Sequence, residues 1–270
     1  MKPDASRPKS LVEQVEQGGA DKHDDAPLTS RRAWLVAAAA GLGGVVLAPG
    51  VRLIEVAQAK SASAAQGASA AVRWGMLIDA TRCVPGCDDC VTACNTENGL
   101  PQVASATSVQ WIRKVEIKEI KTGRVSQAPV MCQHCAEPPC VDVCPTGASF
   151  KRADGIVLVD KHSCIGCRYC VMACPYAARS FVHEPVSEQK PDVPRGKGCV
   201  ESCTLCVHRI DRGDKTTACA EACAKAGHHA IIFGDLNDPD SDISKRLLEL
   251  PTRALRADLA LDPGVRYHGI

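Results

Sequence analysis

Aromatic side chains are scarce: three Phe, three Tyr and three Trp amount to 3% of the 270-residue chain. A core packed from large rings is therefore excluded, and something else has to occupy the interior. Excess charge of either sign is also missing. Lys and Arg number 32 against 31 Asp and Glu, a formal net charge of +1, so the basic footprint of a nucleic-acid-binding protein is absent. No long apolar run is present either. The most hydrophobic stretch, residues 33–48, is short, rich in Ala and Gly, and closed by Pro49-Gly50, which makes it a poor membrane span.

Cysteine is abundant, with 17 residues, and 16 of them fall into four sets of four. The first set is Cys83-x3-Cys87-x2-Cys90-x3-Cys94, directly after a short apolar strand at 74–78. The second is Cys132-x2-Cys135-x4-Cys140-x3-Cys144, followed by Pro145, with Pro138-Pro139 fixing its wider middle gap. The third, Cys164-x2-Cys167-x2-Cys170-x3-Cys174-Pro175, matches the bacterial ferredoxin run at every position. The fourth is Cys203-x2-Cys206-x12-Cys219-x3-Cys223.

Three closely spaced thiolates on a tight loop can hold three iron corners of one [4Fe-4S] cubane. The fourth cysteine starts a helix that points away and reaches a different cluster, so such motifs work in pairs. Four motifs predict two ferredoxin-like units holding four [4Fe-4S] clusters. Zinc is the first competitor, because C-x2-C pairs also build tetrahedral zinc sites. Zinc ribbons use two separated pairs, whereas here three sets concentrate their thiols and two end in Cys-Pro. Disulfides are the second, but 17 is odd and C-x2-C spacing strains a disulfide.

Cys199 is left over; it repeats the x3 gap before Cys203 and can be read as a substitute ligand or as a free thiol. His134 and His162, within and beside the cysteine loops, are read as groups that tune a cluster from the surface or from behind its ligands. Arg168 and Tyr169 in the third loop read as a solvated or docking face.

Short strands are expected at 156–159, 179–182 and 230–233 around the motifs. Val109, Trp111, Val115 and Ile117 on alternate positions, with a turn at Lys121-Thr122-Gly123-Arg124, read as an inserted β-hairpin packed over the first unit. Beyond Phe233 a helix capped by Asp240 or Ser241 is expected to reach Leu248, with the remainder an extended tail. The fold class is therefore α+β: two ferredoxin-like units, an inserted hairpin and an extended C-terminal tail.

The N-terminus reads as an address. Residues 1–30 are polar, and Thr29-Ser30-Arg31-Arg32-Ala33-Trp34-Leu35 is a twin-arginine signal, with Ala57-Gln58-Ala59 as cleavage site. That route exports folded proteins, which suits a cofactor inserted before export. The expected organisation is a signal peptide over 1–59, a flexible leader over 60–72, the double ferredoxin-like domain over 73–234 and the C-terminal helix and tail over 235–270. Retention of the signal as an anchor is the open alternative.

The motif order, the Cys-Gln-His-Cys-Ala-Glu-Pro-Pro-Cys of 132–140 and the Cys-Ile-Gly-Cys-Arg-Tyr-Cys of 164–170 resemble the four-cluster electron-transfer subunits of dimethyl sulfoxide reductase and formate dehydrogenase-N. The resemblance spans about residues 74–233 and implies pairing of the first motif with the fourth and the second with the third. On this chain it implies one cluster on Cys83, Cys87, Cys90 and Cys223 and a neighbour on Cys203, Cys206, Cys219 and Cys94. It implies a third on Cys132, Cys135, Cys140 and Cys174 and a fourth on Cys164, Cys167, Cys170 and Cys144. Asn95 after Cys94 and Ala224 after Cys223 depart from the proline that ferredoxins often place there.

The function so implied is a periplasmic electron-transfer subunit without catalysis or small-molecule substrate of its own. Its implied partners are an integral membrane, quinone-interacting subunit of the NrfD type and a periplasmic multihaem cytochrome c. The implied setting is dissimilatory sulfur metabolism. A molybdopterin oxidoreductase or a periplasmic hydrogenase is the alternative parent complex, and a zinc-stabilised structural module is the alternative of another class.

Overall fold

Trp74–Asp79 form strand β1, whose Met76, Leu77 and Ile78 are fully buried. In the computed structural model, which describes residues 68–270 apart from 103, 104, 106 and 188, this strand is the centre of the largest sheet. The twin-arginine motif, the apolar stretch and the cleavage site lie outside the described residues.

Chain order supplies helix α1 (Asp89–Asn98), the strands β2 (Arg113–Lys118) and β3 (Val125–Val130), and the short helix α2 (Pro139–Asp142). Then come β4 (Ser149–Lys151), β5 (Val157–Val159), helix α3 (Tyr169–Ala173), β6 (Ser180–Phe181) and β7 (Val200–Glu201). Helices α4 (Val207–Ile210) and α5 (Ala218–Lys225), β8 (Ile231–Asp235), helix α6 (Asp242–Glu249), β9 (Thr252–Arg253) and β10 (Val265–His268) complete the chain. The mixture of short helices and strands is an α+β, ferredoxin-like fold. Among the described residues no helix is long and apolar enough to cross a membrane.

The hairpin expected between the first two motifs is β2–β3, antiparallel with Arg113 opposite Val130 and Lys118 opposite Val125. It leans on the first cysteine loop: Lys114 Nζ donates to Cys83 Sγ, and Gly86 N–H donates to Gln127 Oε1 at 3.4 Å. Two smaller antiparallel ribbons, β4–β5 and β6–β7, flank the second and third motifs. Helix α6 starts where its sequence indicates, with the Ser241 hydroxyl accepting from Ser244 N–H at 3.2 Å.

The expected extended tail is corrected by the structure. After α6 the chain returns as β10, which lies between β1 and β9 as an inner strand, parallel to β1 with Met76 opposite Val265. Tyr267 on β10 is 1% exposed, donates its hydroxyl to Pro129 O and accepts from Gln133 Nε2 at 3.1 Å. Four residues of alternation after Pro263-Gly264 are too short to be read as a strand, and the pairing with β1 spans almost the whole domain.

The core confirms what the shortage of rings implies. Met76, Ile78, Trp111, Ile112, Met131 and Val265 share one buried cluster with Cys90, Cys94, Cys132, Cys135, Cys203, Cys219 and Cys223. Cysteine fills space that aromatic residues fill elsewhere.

Candidate metal centres

Helix periodicity explains how one segment serves two centres. Cys90 and Cys94 lie four apart on α1, and Cys219 and Cys223 lie four apart on α5, so each pair occupies one buried face one turn apart. The two helices pack against each other. Both continue past their last cysteine because Asn95 and Ala224 permit it, whereas Pro145 and Pro175 follow short helices that have already ended. The departures from the ferredoxin pattern thus lengthen two helices.

The loops that carry the remaining cysteines share a backbone feature. Each contains a residue in the left-handed region: Gly86 (φ 80°), His134 (φ 44°), Gly166 (φ 72°) with Arg168 (φ 64°), and Leu205 with Cys206 (both φ 51°). Turns of this kind are able to present successive N–H groups to one anion. At Gly166 the need for glycine is absolute, because a Cβ there would sit 2.1 Å from Gly198 O.

Three small spaces result, each bordered by four cysteines. Cys83, Cys87, Cys90 and Cys223 line one. Cys94, Cys203, Cys206 and Cys219 line a second, and Cys144, Cys164, Cys167 and Cys170 a third. The last four, Cys132, Cys135, Cys140 and Cys174, are mutual electrostatic neighbours: Cys132 and Cys135 each sense both Cys140 and Cys174. Each grouping takes three cysteines from one motif and one from another. Exposure divides the sets. Cys94, Cys203, Cys206 and Cys219 are all buried, as are Cys132, Cys135 and Cys140, while Cys83 and Cys87 are half-buried and Cys167 is exposed.

The buried thiols of the interior sets are held protonated by their surroundings. Burial, with repulsion from neighbouring cysteines, pushes Cys90 and Cys206 up to about 12 and Cys135 to about 11. Burial likewise raises Cys94 and Cys203. Four such groups can ionise together only if cations arrive with them, so metal uptake must release protons. Donors to sulfur are already in place. Ser149 N–H donates to Cys144 Sγ (3.3 Å), Val200 N–H to Cys164 Sγ (3.5 Å) and Ala230 N–H to Cys223 Sγ (3.2 Å). Asn98 Nδ2 donates to Cys94 Sγ at 3.5 Å.

All-thiolate sets with inward N–H donors suit iron-sulfur clusters, whose sulfurs accept hydrogen bonds. Buried polar groups left without partners fit as well. The guanidinium nitrogens of Arg179 make no well-aligned hydrogen bond and reach only the sulfurs of Cys140 and Cys170, and Nε2 of His134 lacks a partner among the described residues, although both side chains are buried. His134 Nδ1 accepts from Val157 N–H at 3.0 Å, which leaves the free nitrogen as the donor.

His134 proves to be interior at 2% exposure, while His162 is exposed. Arg168 stacks over the Phe181 ring at 3.9 Å, and Tyr169 is exposed. Cys199 is buried, donates Sγ–H to Lys161 O at 3.3 Å and lines none of the three spaces described above. Lys114, Arg179 and Tyr267 escape the sequence reading. Lys114 sits in an alternating strand and Arg179 five residues after Cys174, with no motif to mark either. Asp89 and His228 lie within 4.8 Å of Cys87 at the rim of the first space.

A family model described as a 4Fe-4S dicluster domain matches residues 124–235. The chain is 40% identical over 267 residues to the Hdr-like menaquinol oxidoreductase iron-sulfur subunit 1 of Archaeoglobus fulgidus, covering 89% of this chain and 98% of that protein. It is 38% identical to the B component of tetrathionate reductase from Salmonella typhimurium, over 83% of this chain and 84% of that one. Protein NrfC of Escherichia coli is also 38% identical, over 71% of this chain and 78% of its own length.

Proposed function

The chain belongs to the family of 4Fe-4S electron-transfer subunits of oxidoreductase complexes, and from that premise we propose that it is a four-cluster wire on the periplasmic side of a membrane quinol-oxidising complex. A bound [4Fe-4S] cluster supplies a one-electron couple at each centre, with a potential set by burial, hydrogen bonds to sulfur and local charge. The observation that carries the reading is the grouping of sixteen cysteines into four sets, with the two interior sets largely buried and the two others reaching the surface. Cys83 and Cys87 at one end and Cys167 at the other are the points of entry and exit.

Within the first unit adjacent centres share a helix. Cys90 and Cys94 are separated by one turn, about 6 Å along the axis, which makes a short hop. Between the units stands Tyr267, which senses Cys203 and is hydrogen-bonded to Gln133 beside Cys132.

The finer reading is a subunit of the DsrO type, the periplasmic iron-sulfur component of the DsrMKJOP complex of dissimilatory sulfur metabolism. The twin-arginine motif at Arg31-Arg32, Trp74-Gly75-Met76-Leu77-Ile78-Asp79 and Gly234-Asp235-Leu236-Asn237-Asp238-Pro239 support it. Its partners in this reading are an NrfD-type integral membrane subunit that meets quinone and a periplasmic multihaem cytochrome c. Similarity along 98% of a protein named as a menaquinol oxidoreductase subunit supports the quinol side.

The test is affinity purification of the full-length chain from detergent-solubilised membranes of its own host, under nitrogen. The expected result is co-purification of a multi-span membrane protein, and bleaching of the chain's visible absorption by menaquinol only when that protein is present. Recovery from the periplasm as a lone protein, unreduced by quinol in the presence of membranes, would contradict it.

A further inference from the structure

Arg179 immediately precedes β6 and is 4% exposed. A guanidinium does not lose its proton in a protein, and an isolated buried charge is too costly to persist unpaired. None of its three nitrogens makes a well-aligned hydrogen bond among the described residues, and the acceptors within its reach are the sulfurs of Cys140 and Cys170. The groups around it are sulfurs: Cys140, Cys132 and Cys170 are its electrostatic neighbours. These cysteines belong to two different sets: Cys132 and Cys140 group with Cys135 and Cys174, while Cys170 borders the space lined by Cys144, Cys164 and Cys167.

Protonated thiols would leave this cation buried without an anion. Thiolates ligated to clusters give it one on either side, and the planar fork has donors enough to serve both. The corresponding position five residues after Cys144 is Ser149, which carries no charge, so the bridge is single and lies between the two centres.

We propose that Arg179 is a positioning residue shared by the two centres of the second unit, donating hydrogen bonds to sulfur of both and holding both reduction potentials up with one fixed positive charge. Reduction adds one electron and no proton to a centre, and the nearby cation stabilises the extra negative charge. The inference rests on the cluster-binding reading.

The test uses the full-length chain and its R179Q and R179K variants, purified anaerobically, with iron and acid-labile sulfide measured before potentiometric titration followed by EPR. In R179Q two of the four couples should fall together, each by a tenfold change in the reduction equilibrium or more, about 59 mV for a one-electron couple, while the other two stay. In R179K the compact ammonium cannot span both centres, so at least one of the same two couples should fall.

If R179Q does not retain iron, R179K decides alone. Unchanged couples in a loaded variant, or a uniform shift of all four, would overturn the role of Arg179 and leave the cluster reading standing. A wild-type chain without iron and sulfide would overturn both. A purely structural arginine would lower cluster content or thermal stability and leave the potentials where they are.

Discussion

Lys114 on the inserted hairpin places its Nζ 2.9 Å from Sγ of Cys83, a ligand candidate contributed by the loop after β1. The contact gives the hairpin a chemical role in addition to its packing. An ammonium against one ligand sulfur favours the more negative, reduced state of that centre alone. Lys114→Met should therefore lower one reduction equilibrium by roughly tenfold, about 59 mV for one electron, and leave the other couples in place. The same titration on Lys118→Met, further along the strand, should show no change.

Arg195 and Glu201 form a buried ion pair at 2.9 Å, with Glu201 0% exposed. Arg195 also reaches Gly99 O at the end of α1, and Trp111 Nε1 donates to the same carboxylate oxygen at 3.4 Å. The pair ties the first motif's helix to β7, whose Val200 N–H donates to Cys164 Sγ. Removal of one partner strands the other as a buried charge. Glu201→Ala should cost about 3–5 kcal/mol, measured by chemical denaturation of the loaded protein, whereas the double variant Arg195→Met/Glu201→Leu should recover much of the loss.

Glu97 joins α1 to α4, accepting from Arg209 at 2.6 and 2.8 Å and lying 2.7 Å from His208 Nε2. The Arg209 hydrogen bond, opposed by partial burial and aided by His208, holds its carboxyl down at about 2. The unfolded carboxyl titrates near about 4.3. Because the folded value is the lower, this contact stabilises fully above about pH 4.3 and its contribution disappears as pH falls toward 2. The melting temperature of the wild type should drop as pH is lowered through that window, and Glu97→Gln should flatten the slope.

Much of this site was legible in the sequence, and the reasons are local. Cysteine spacing within a loop and the i, i+4 pairs at Cys90/Cys94 and Cys219/Cys223 are short-range facts. The same holds for the Ser241 cap and for the hairpin around Gly123. What escaped depends on pairing between distant segments. Strand β10 has four residues and gains its meaning only beside β1, nearly two hundred positions earlier. Arg179 and Lys114 look like ordinary strand residues until the fold sets them against sulfur.

Cys199 provides an internal control. Its thiol donates to Lys161 O rather than facing any of the three four-cysteine spaces. Cys199→Ser should leave the iron content unchanged, while Cys203→Ser, at the next cysteine along the chain, should lower it by about four irons per chain, one [4Fe-4S] cluster.

Whether the sixteen cysteines hold four clusters is decided by the count of iron and acid-labile sulfide per full-length chain after anaerobic purification. Four cysteine sets predict about sixteen of each, with interacting [4Fe-4S] EPR signals on reduction. Zinc without sulfide would contradict the claim outright, and about eight irons would mean that two of the four sets hold no cluster.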